Sequence, residues 1–309
     1  MDLQQLSFRK TRIAPTPSGY LHMGNILSFA LTAWLAQQTG AAILLRIDDL
    51  DRQRMQRSYV EDIFETLQFL NIPWHEGPRN YEEFEKSWSQ LHRLSLYNEL
   101  LQQLVATGQV FACNCSRAQL SRTSADSGYN GTCNDAQLPL TEGAVNWRLR
   151  TTTDAAITIN TLHGRVEAPL PTTMKDIVIR KKDGYPAYQL SSVADDRYYE
   201  VDLIVRGADL WPSTLAQTCL AAGIADKAFT KVNFHHHGLL MRAGEEKLSK
   251  SAGATSIQYL RKQGNSAAEV CKMIARAAGI PGEPGTWQSL AEAFWMEEQR
   301  INPLAQKNI

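Results

Sequence analysis

A stretch compatible with a strand, Phe8 to Ala14, runs into Pro15, Pro17 and Gly19, and an apolar stretch from Ile26 to Gln38 follows. Proline has no N–H to donate, so the strand must stop there, and the apolar run is long enough for a buried helix. Strand, tight turn and helix N-terminus is the layout that receives phosphate groups. It restricts the chain to an α/β arrangement with a ligand at the carboxyl edge of its sheet. Gly19 and Gly24 let backbone approach a nucleotide closely. His22 adds a side-chain hydrogen-bonding group beside that helix start. A second strand, Ala41 to Ile47, ends at Arg46, Asp48, Asp49 and Asp51. In isolation such a cluster reads as surface ion pairs, but this one falls where doubly wound sheets bind ligands.

The chain has 309 residues, 43% of them hydrophobic, enough for one large core with an insertion or two modest cores. Its formal charge is zero. Binding of a nucleic acid must then use local basic surface, with Arg117, Arg122, Arg148, Arg150, Arg180, Lys181 and Lys182 as candidates. No apolar run approaches the ~18 to 20 residues of a membrane span. Asp2 and Gln4-Gln5 stand where a signal peptide would need basic and apolar residues, so a cytoplasmic location is expected, with no membrane partner. Five cysteines, an odd count, argue against a disulfide framework, and Cys219 and Cys271 read as core fillers.

Along the chain, Ser58-Tyr59-Val60-Glu61 reads as a capping box opening a helix that runs to about Leu70 and is stopped by Asn71-Ile72-Pro73. Ser87 to Ala106 reads as one amphipathic helix closing near Gly108. From Val110 to about Pro171 the composition turns to Thr, Asn, Asp and Gly with short alternating runs, Val145 to Arg150 and Ala156 to Asn160, which indicates a small β insertion. Asp176 to Arg180 and Val201 to Val205 are strand-like again, and Thr214 to Ala222 is helical. The expected division is 8–109, an insertion 110–174, 175–255, and a helical tail 256–309. No internal repeat or low-complexity segment occurs.

Two distant segments belong together: Pro15-Thr16-Pro17-Ser18-Gly19-Tyr20-Leu21-His22-Met23-Gly24-Asn25, and Lys247-Leu248-Ser249-Lys250-Ser251. The pair resembles the two ATP signatures of class I aminoacyl-tRNA synthetases. Arg12-Ile13-Ala14-Pro15, Arg46-Ile47-Asp48-Asp49-Leu50-Asp51 and Ile204-Val205-Arg206-Gly207-Ala208-Asp209-Leu210 are similar to the glutamyl subgroup. The resemblance implies a Rossmann-like nucleotide-binding fold split by an acceptor-stem-binding insertion. It also implies ATP contacts from Pro15, Gly19, His22, Gly24, Asn25, Lys247, Ser249 and Lys250, with His22, Lys247 and Lys250 catalytic and Mg²⁺ arriving with ATP. A glutamate pocket needs guanidinium groups for two carboxylates, a carboxylate for the ammonium and a few hydroxyls. Arg12 and Arg206 suit the first task and Asp48 the second. Ser18 and Tyr188 offer hydroxyls, and Ala14 completes the lining. The chain departs from the pattern at Asn25, where the fullest signature has a second His, at Leu248 in place of Met, and at Asp48, a methylene shorter than the usual Glu.

Cys113-Asn114-Cys115 and Cys133 form a metal-site signature whose soft ligands point to Zn²⁺. Chemistry alone rates Asp126, Asp135, a water or Tyr129 as comparable fourth ligands. The glutamyl-queuosine tRNA(Asp) synthetases, a short family that this chain resembles, have this Cys-x-Cys, Tyr, x-x-x-Cys knob, which implies Tyr129. His235-His236-His237 reads as a strand feeding the second ATP loop. Adjacent residues of a strand face opposite ways, so the three imidazoles do not converge on one ion, though one contact with adenosine is expected.

Only 58 residues follow Ser251, short for an anticodon-reading domain of ordinary size. The resemblance therefore implies a monomer that activates L-glutamate with ATP and transfers it to the queuosine base of tRNA(Asp). Two alternatives stand beside it: a truncated or split glutamyl-tRNA synthetase charging tRNA(Glu), and a non-catalytic paralogue.

Overall fold

The computed structural model describes residues 3–116, 119, 128–141, 145–240 and 256–301. Strand β1 (Lys10–Ile13) leads to α1 (Met23–Thr39), β2 (Ala42–Leu45), α2 (Arg57–Phe69), the single turn α3 (Tyr81–Glu83) and α4 (Leu94–Ala106). Next come β3 (Val110–Cys113), β4 (Asn146–Leu149), β5 (Ala156–Thr161), β6 (Gly164–Pro169), β7 (Val178–Arg180) and α5 (Tyr188–Tyr198). The described chain closes with β8 (Leu203–Gly207), α6 (Trp211–Gly223), β9 (Asn233–His237), α7 (Ile257–Lys262), α8 (Ala267–Ala277) and α9 (Trp287–Ile301). These elements fall into two compact units.

The first unit takes its described residues from Met1–His92, Val201–Asp209 and Phe234–Asn308. β1 and β2 pair in parallel from Lys10 opposite Ala42 to Ile13 opposite Leu45. Beyond the strands Arg46 N donates to Ile13 O and Asp48 N to Pro15 O, each at 2.9 Å. β8 enters beside β1, where the Asp202 carboxylate accepts from the backbone N–H groups of Arg9 and Lys10, and β9 lies next to β8. α1 is buried nearly all round, through Ile26, Leu27, Leu31 and Leu35, because it packs on the sheet and also against α9, where Trp34 meets Trp295 at 5.7 Å. α9 is tied down twice more. Trp287 Nε1 donates to Asn71 O at 2.8 Å, and the Glu298 carboxylate accepts from Gly238 N at 2.8 Å.

Two expected helices differ from the sequence reading. α2 starts two residues earlier, with Gln56 at the cap making no side-chain bond, so the Ser58 capping box does not form. Glu61 is engaged instead by Arg57, whose Nε donates to it at 2.7 Å. The helix then ends as expected, on Asn71 in a left-handed conformation at φ 55°. The single helix read over Ser87 to Ala106 is broken into a π turn at Phe84–Trp88, an extended Ser89 (ψ 141°), a 3₁₀ turn at Gln90–Arg93 and then α4. Its cause is Asp49, fully buried, which accepts from Ser89 Oγ at 2.6 Å and Gln90 N at 2.7 Å. A buried carboxylate must be satisfied, and donors withdrawn from a helical ladder satisfy it.

The second unit takes its described residues from Arg93–Glu200 and Leu210–Asn233. β3, β4 and β7 form an antiparallel sheet with a register shift between Trp147 and Arg148, and β5 and β6 form a hairpin. α4 and α5 are joined by a buried polar knot. Asp195, wholly inaccessible, accepts from Arg93 Nε and from the Tyr97 hydroxyl, both at 2.7 Å. Asp195→Asn leaves the Arg93 guanidinium buried without its counter-charge, which costs about 3–5 kcal/mol. Urea unfolding measures this, and a midpoint equal to that of the unaltered chain would refute the knot's importance.

Candidate functional site

The turn after β1 delivers His22 to the N-cap of α1. Its Nδ1 accepts from Gly24 N at 3.1 Å and Asn25 N at 3.3 Å, and Asn25 Oδ1 turns back to accept from His22 N at 3.0 Å. This reciprocal cap settles the tautomer, because an Nδ1 that accepts leaves the neutral ring's proton on Nε2. The cap also gives Asn25 a task in the helix start. A Cβ at Gly24 would stand 3.1 Å from the His22 ring, close enough that the ring would have to give by a few tenths of an ångström. Pro15 is buried, Ala14 and Gly19 are half-buried, and Ser18 is exposed. Space around the Gly19 Cα is open. Ser256 forms an antiparallel bridge with His22, and Ile257 N donates to Leu21 O at 2.8 Å, so α7 starts directly against the first signature.

Arg12, Arg46, Asp48 and Arg206 are all buried at the carboxyl edge of this first unit. Arg46 grips Asp48 with two bonds, Nε to Oδ1 at 2.7 Å and Nη2 to Oδ2 at 3.0 Å. Two bonds from one guanidinium fix the orientation of the Asp48 carboxylate. Arg12 Nη1 donates to Val205 O at 3.3 Å, and the Arg206 guanidinium lies 5.1 Å from the Phe234 ring centre. His236 stacks on Phe234 with a centroid separation of 6.0 Å. Burial, reinforced by the charges of Arg206, the neighbouring histidines and Arg12, holds the His236 imidazole down at about 2. His236 is thus a neutral ring close to buried guanidiniums.

Sequence reasoning singled out none of the three histidines, and only the strand geometry separates them. His235 and His237 face α9, with His235 beside Trp295 and Glu298 and His237 against Phe294, while His236 faces Phe234. Tyr188 stands in the first turn of α5 in the second unit, 43% exposed. Lys247, Ser249 and Lys250, together with Leu248, lie outside the described residues.

In the second unit the sulfurs of Cys113, Cys115 and Cys133 lie within 4.8 Å of one another, the one such group found among the described residues. Cys115 and Cys133 are 3.5 Å apart, sulfur to sulfur. The buried Tyr129 hydroxyl reaches the same knuckle and accepts from Cys133 N at 2.7 Å. Asp135 is exposed and outside the cluster, and Asp126 lies outside the described residues. Burial pushes the Cys113 thiol up, but the Arg148 guanidinium and the Cys115 backbone N–H outweigh it, and Cys113 falls below its ordinary value. Burial and the adjacent Cys133 and Cys113 push Cys115 up to about 12. Three close thiols without a partner cation therefore resist joint ionisation, and a divalent soft metal is the partner that reverses this. The donor set fits Zn²⁺.

The basic residues read as surface for nucleic acid have other tasks where they are described. Arg148 and Arg180 are buried, Lys182 Nζ donates to Asn114 O at 2.6 Å, Arg150 Nη2 donates to Asn134 O at 2.9 Å, and Lys181 pairs with Asp183. Arg117 and Arg122 lie outside the described residues. Cys271 fills the core as expected, whereas Cys219 is only half-buried.

His236 makes the first unit acid-sensitive. An imidazole in the unfolded chain takes a proton near its ordinary 6.5, while the folded one resists to about 2, so over that window the unfolded state binds more protons. Stability is therefore full above that ordinary value and falls as the pH drops. His236→Phe keeps a ring on Phe234 and removes the titration. Between about pH 5.5 and pH 4 it flattens the decline by roughly 1.4 kcal/mol per pH unit, the worth of one proton. Urea titrations across pH check this, and an unchanged slope would show that the ring is protonated in the folded protein.

A glutamate–tRNA ligase from Dehalococcoides mccartyi is 34% identical over 81% of this chain, and the chain spans about half, 52%, of that relative. A glutamyl-Q tRNA(Asp) synthetase from a Synechococcus strain is 35% identical over 85% of this chain and 81% of its own. The solved glutamate–tRNA synthetase of Elizabethkingia anophelis superposes with a TM-score of 0.72 at 20% identity, over 96% of this chain and 71% of that one, which shows a shared fold. The family of class I (E and Q) tRNA synthetases, represented by its catalytic domain, matches residues 9–298, and the chain belongs to that family.

Proposed function

We propose that the protein activates L-glutamate with ATP and transfers it to the queuosine base of tRNA(Asp). The first half is supported by the buried cluster of Arg12, Arg206 and the neutral His236, together with Asp48 oriented by Arg46. An amino acid with two carboxylates and one ammonium matches that charge pattern. The second half is supported by the relatives named glutamyl-Q tRNA(Asp) synthetase, matched at 33–35% identity over most of this chain. Relatives named glutamate–tRNA ligase, at 34% identity, favour a second reading in which the acceptor is the terminal ribose of a tRNA.

In this reading Arg12 and Arg206 hold the substrate carboxylates and Asp48 holds the ammonium, with Ala14, Ser18 and Tyr188 lining the pocket. His22, its proton kept on Nε2 by the helix cap, donates to an α-phosphate oxygen, and the α1 N-terminus adds its dipole. Pro15, Gly19, Gly24 and Asn25 shape the nucleotide site, while Lys247, Ser249 and Lys250 meet the outer phosphates. Mg²⁺ bound to ATP supplies further charge neutralisation. No side chain acts as nucleophile: a glutamate carboxylate oxygen attacks the α-phosphorus, pyrophosphate leaves, and the acceptor hydroxyl then displaces AMP from the mixed anhydride. Positioning and electrostatics carry the rate. Residues 110–174 serve as the tRNA-facing insertion. Cys113, Cys115, Cys133 and Tyr129 would hold a structural Zn²⁺ there, a closed site that organises the loop.

Labelled glutamate, ATP and bulk tRNA, followed by digestion, test the proposal directly. Label on the base supports it, whereas label on the 3′ ribose establishes the ligase reading. Lys250→Ala loses at least about two orders of magnitude in glutamate-dependent ATP–pyrophosphate exchange while folding normally. Exchange close to the unaltered rate would remove Lys250 from the catalytic set. Arg206→Leu raises the KM for glutamate by roughly a hundredfold or more and leaves that for ATP within about twofold, since it strands one substrate carboxylate. Equal losses for both substrates would contradict the pocket assignment.

A further inference from the structure

The knuckle of Cys113, Cys115, Cys133 and Tyr129 is braced by cations whose placement neither the glutamate site nor tRNA contact explains. Arg148 is buried, and its guanidinium carbon sits 3.8 Å from the centre of the Tyr129 ring. Its Nη1 donates to Asp176 O at 2.7 Å, while its Nε is buried and makes no hydrogen bond of ordinary geometry. Arg150 lies over Phe111, 5.0 Å from its centre, and donates to Asn134 O, the carbonyl just after Cys133. Lys182 donates to Asn114 O, the carbonyl between Cys113 and Cys115. Each ligand-bearing stretch is thus held by one cation.

Charge explains why. A divalent ion with three thiolates and a phenolate carries two negative charges in excess, and with a neutral phenol one. Burying such a centre is costly unless positive charge lies close by. We propose that Arg148, with Arg150 and Lys182 around it, is a positioning and charge-balancing shell that lets this knuckle retain Zn²⁺. The inference rests on the zinc reading given above and concerns how tightly the ion is kept.

The test uses the full chain purified without chelator. Zinc is measured by elemental analysis, its release to a chromogenic chelator is timed, and the sulfur-to-metal charge-transfer band is recorded after Co²⁺ replacement. The unaltered chain holds about one zinc. Arg148→Met releases it about 10- to 100-fold faster, the usual effect of losing an outer partner, and shifts the cobalt band, while Arg148→Lys recovers part of the retention. Arg150→Met with Lys182→Met alters two solvent-facing donors, keeps the fold and quickens release severalfold. Tyr129→Phe in the Arg148→Met background adds little further loss, because the two act through one another. A role limited to bracing the sheet would lower the thermal midpoint of the metal-free chain and leave the cobalt band in place, and that result overturns the proposal. Zinc release at the unaltered rate in Arg148→Met, or in the Arg150/Lys182 double variant should Arg148→Met fail to fold, overturns it as well. An unaltered chain that holds neither zinc nor cobalt refutes the zinc reading itself, a distinguishable outcome that takes this proposal with it.

Discussion

The backbone zip that continues past β1 and β2, Arg46 N to Ile13 O and Asp48 N to Pro15 O, is the constraint on which the first unit is built. It draws the strand ends into one buried edge, so Arg12 within β1 and Arg46, Asp48 and Asp49 after β2 cannot retreat to water. Buried charges must be paired or given to a ligand. Arg46 and Asp48 pair with each other, and Asp49 takes Ser89, Gln90 and Arg52. Arg12 Nη1 donates to Val205 O and the Arg206 guanidinium lies 5.1 Å from the Phe234 ring centre, close to an imidazole that stays neutral. The same edge that organises the fold thus gathers the residues proposed to meet the substrate.

Much of this was legible in the sequence where a local rule has no competitor. Proline and glycine after an apolar strand dictate a turn whatever surrounds them, and β1, α1 and β2 follow. The three cysteines converge because their spacing in a loop-rich stretch leaves them little else to do. Legibility failed where a distant partner outbid a local one. Ser58 and Glu61 fit a capping box, but Arg57 claims Glu61. Ser87 to Ala106 has a helical pattern, but Asp49, forty residues away in sequence, draws Ser89 and Gln90 out of it.

The basic residues of the insertion teach the same lesson from the side of charge. Arg148 and Arg150 alternate with apolar residues along a strand, which sequence alone reads as a solvated or RNA-facing stripe. The fold turns Arg148 inward onto Tyr129 and sends Arg150 and Lys182 to carbonyls beside the cysteines. Only the position of the knuckle, a tertiary fact, distinguishes these uses. Gly128 belongs to it too: at φ 79° its Cα runs so close to Thr172 that a Cβ would meet that carbonyl at 2.2 Å.

The bridge between His22 and Ser256 sets the order in which the protein can be made. His22 leaves the ribosome early, yet the strand partner that fixes its backbone arrives after more than two hundred further residues. Loop closure over such a distance is slow and entropically costly compared with local helix formation. A nascent chain that has displayed its first signature is therefore still without an assembled nucleotide site. The bridge can close only once Ser256 has been made.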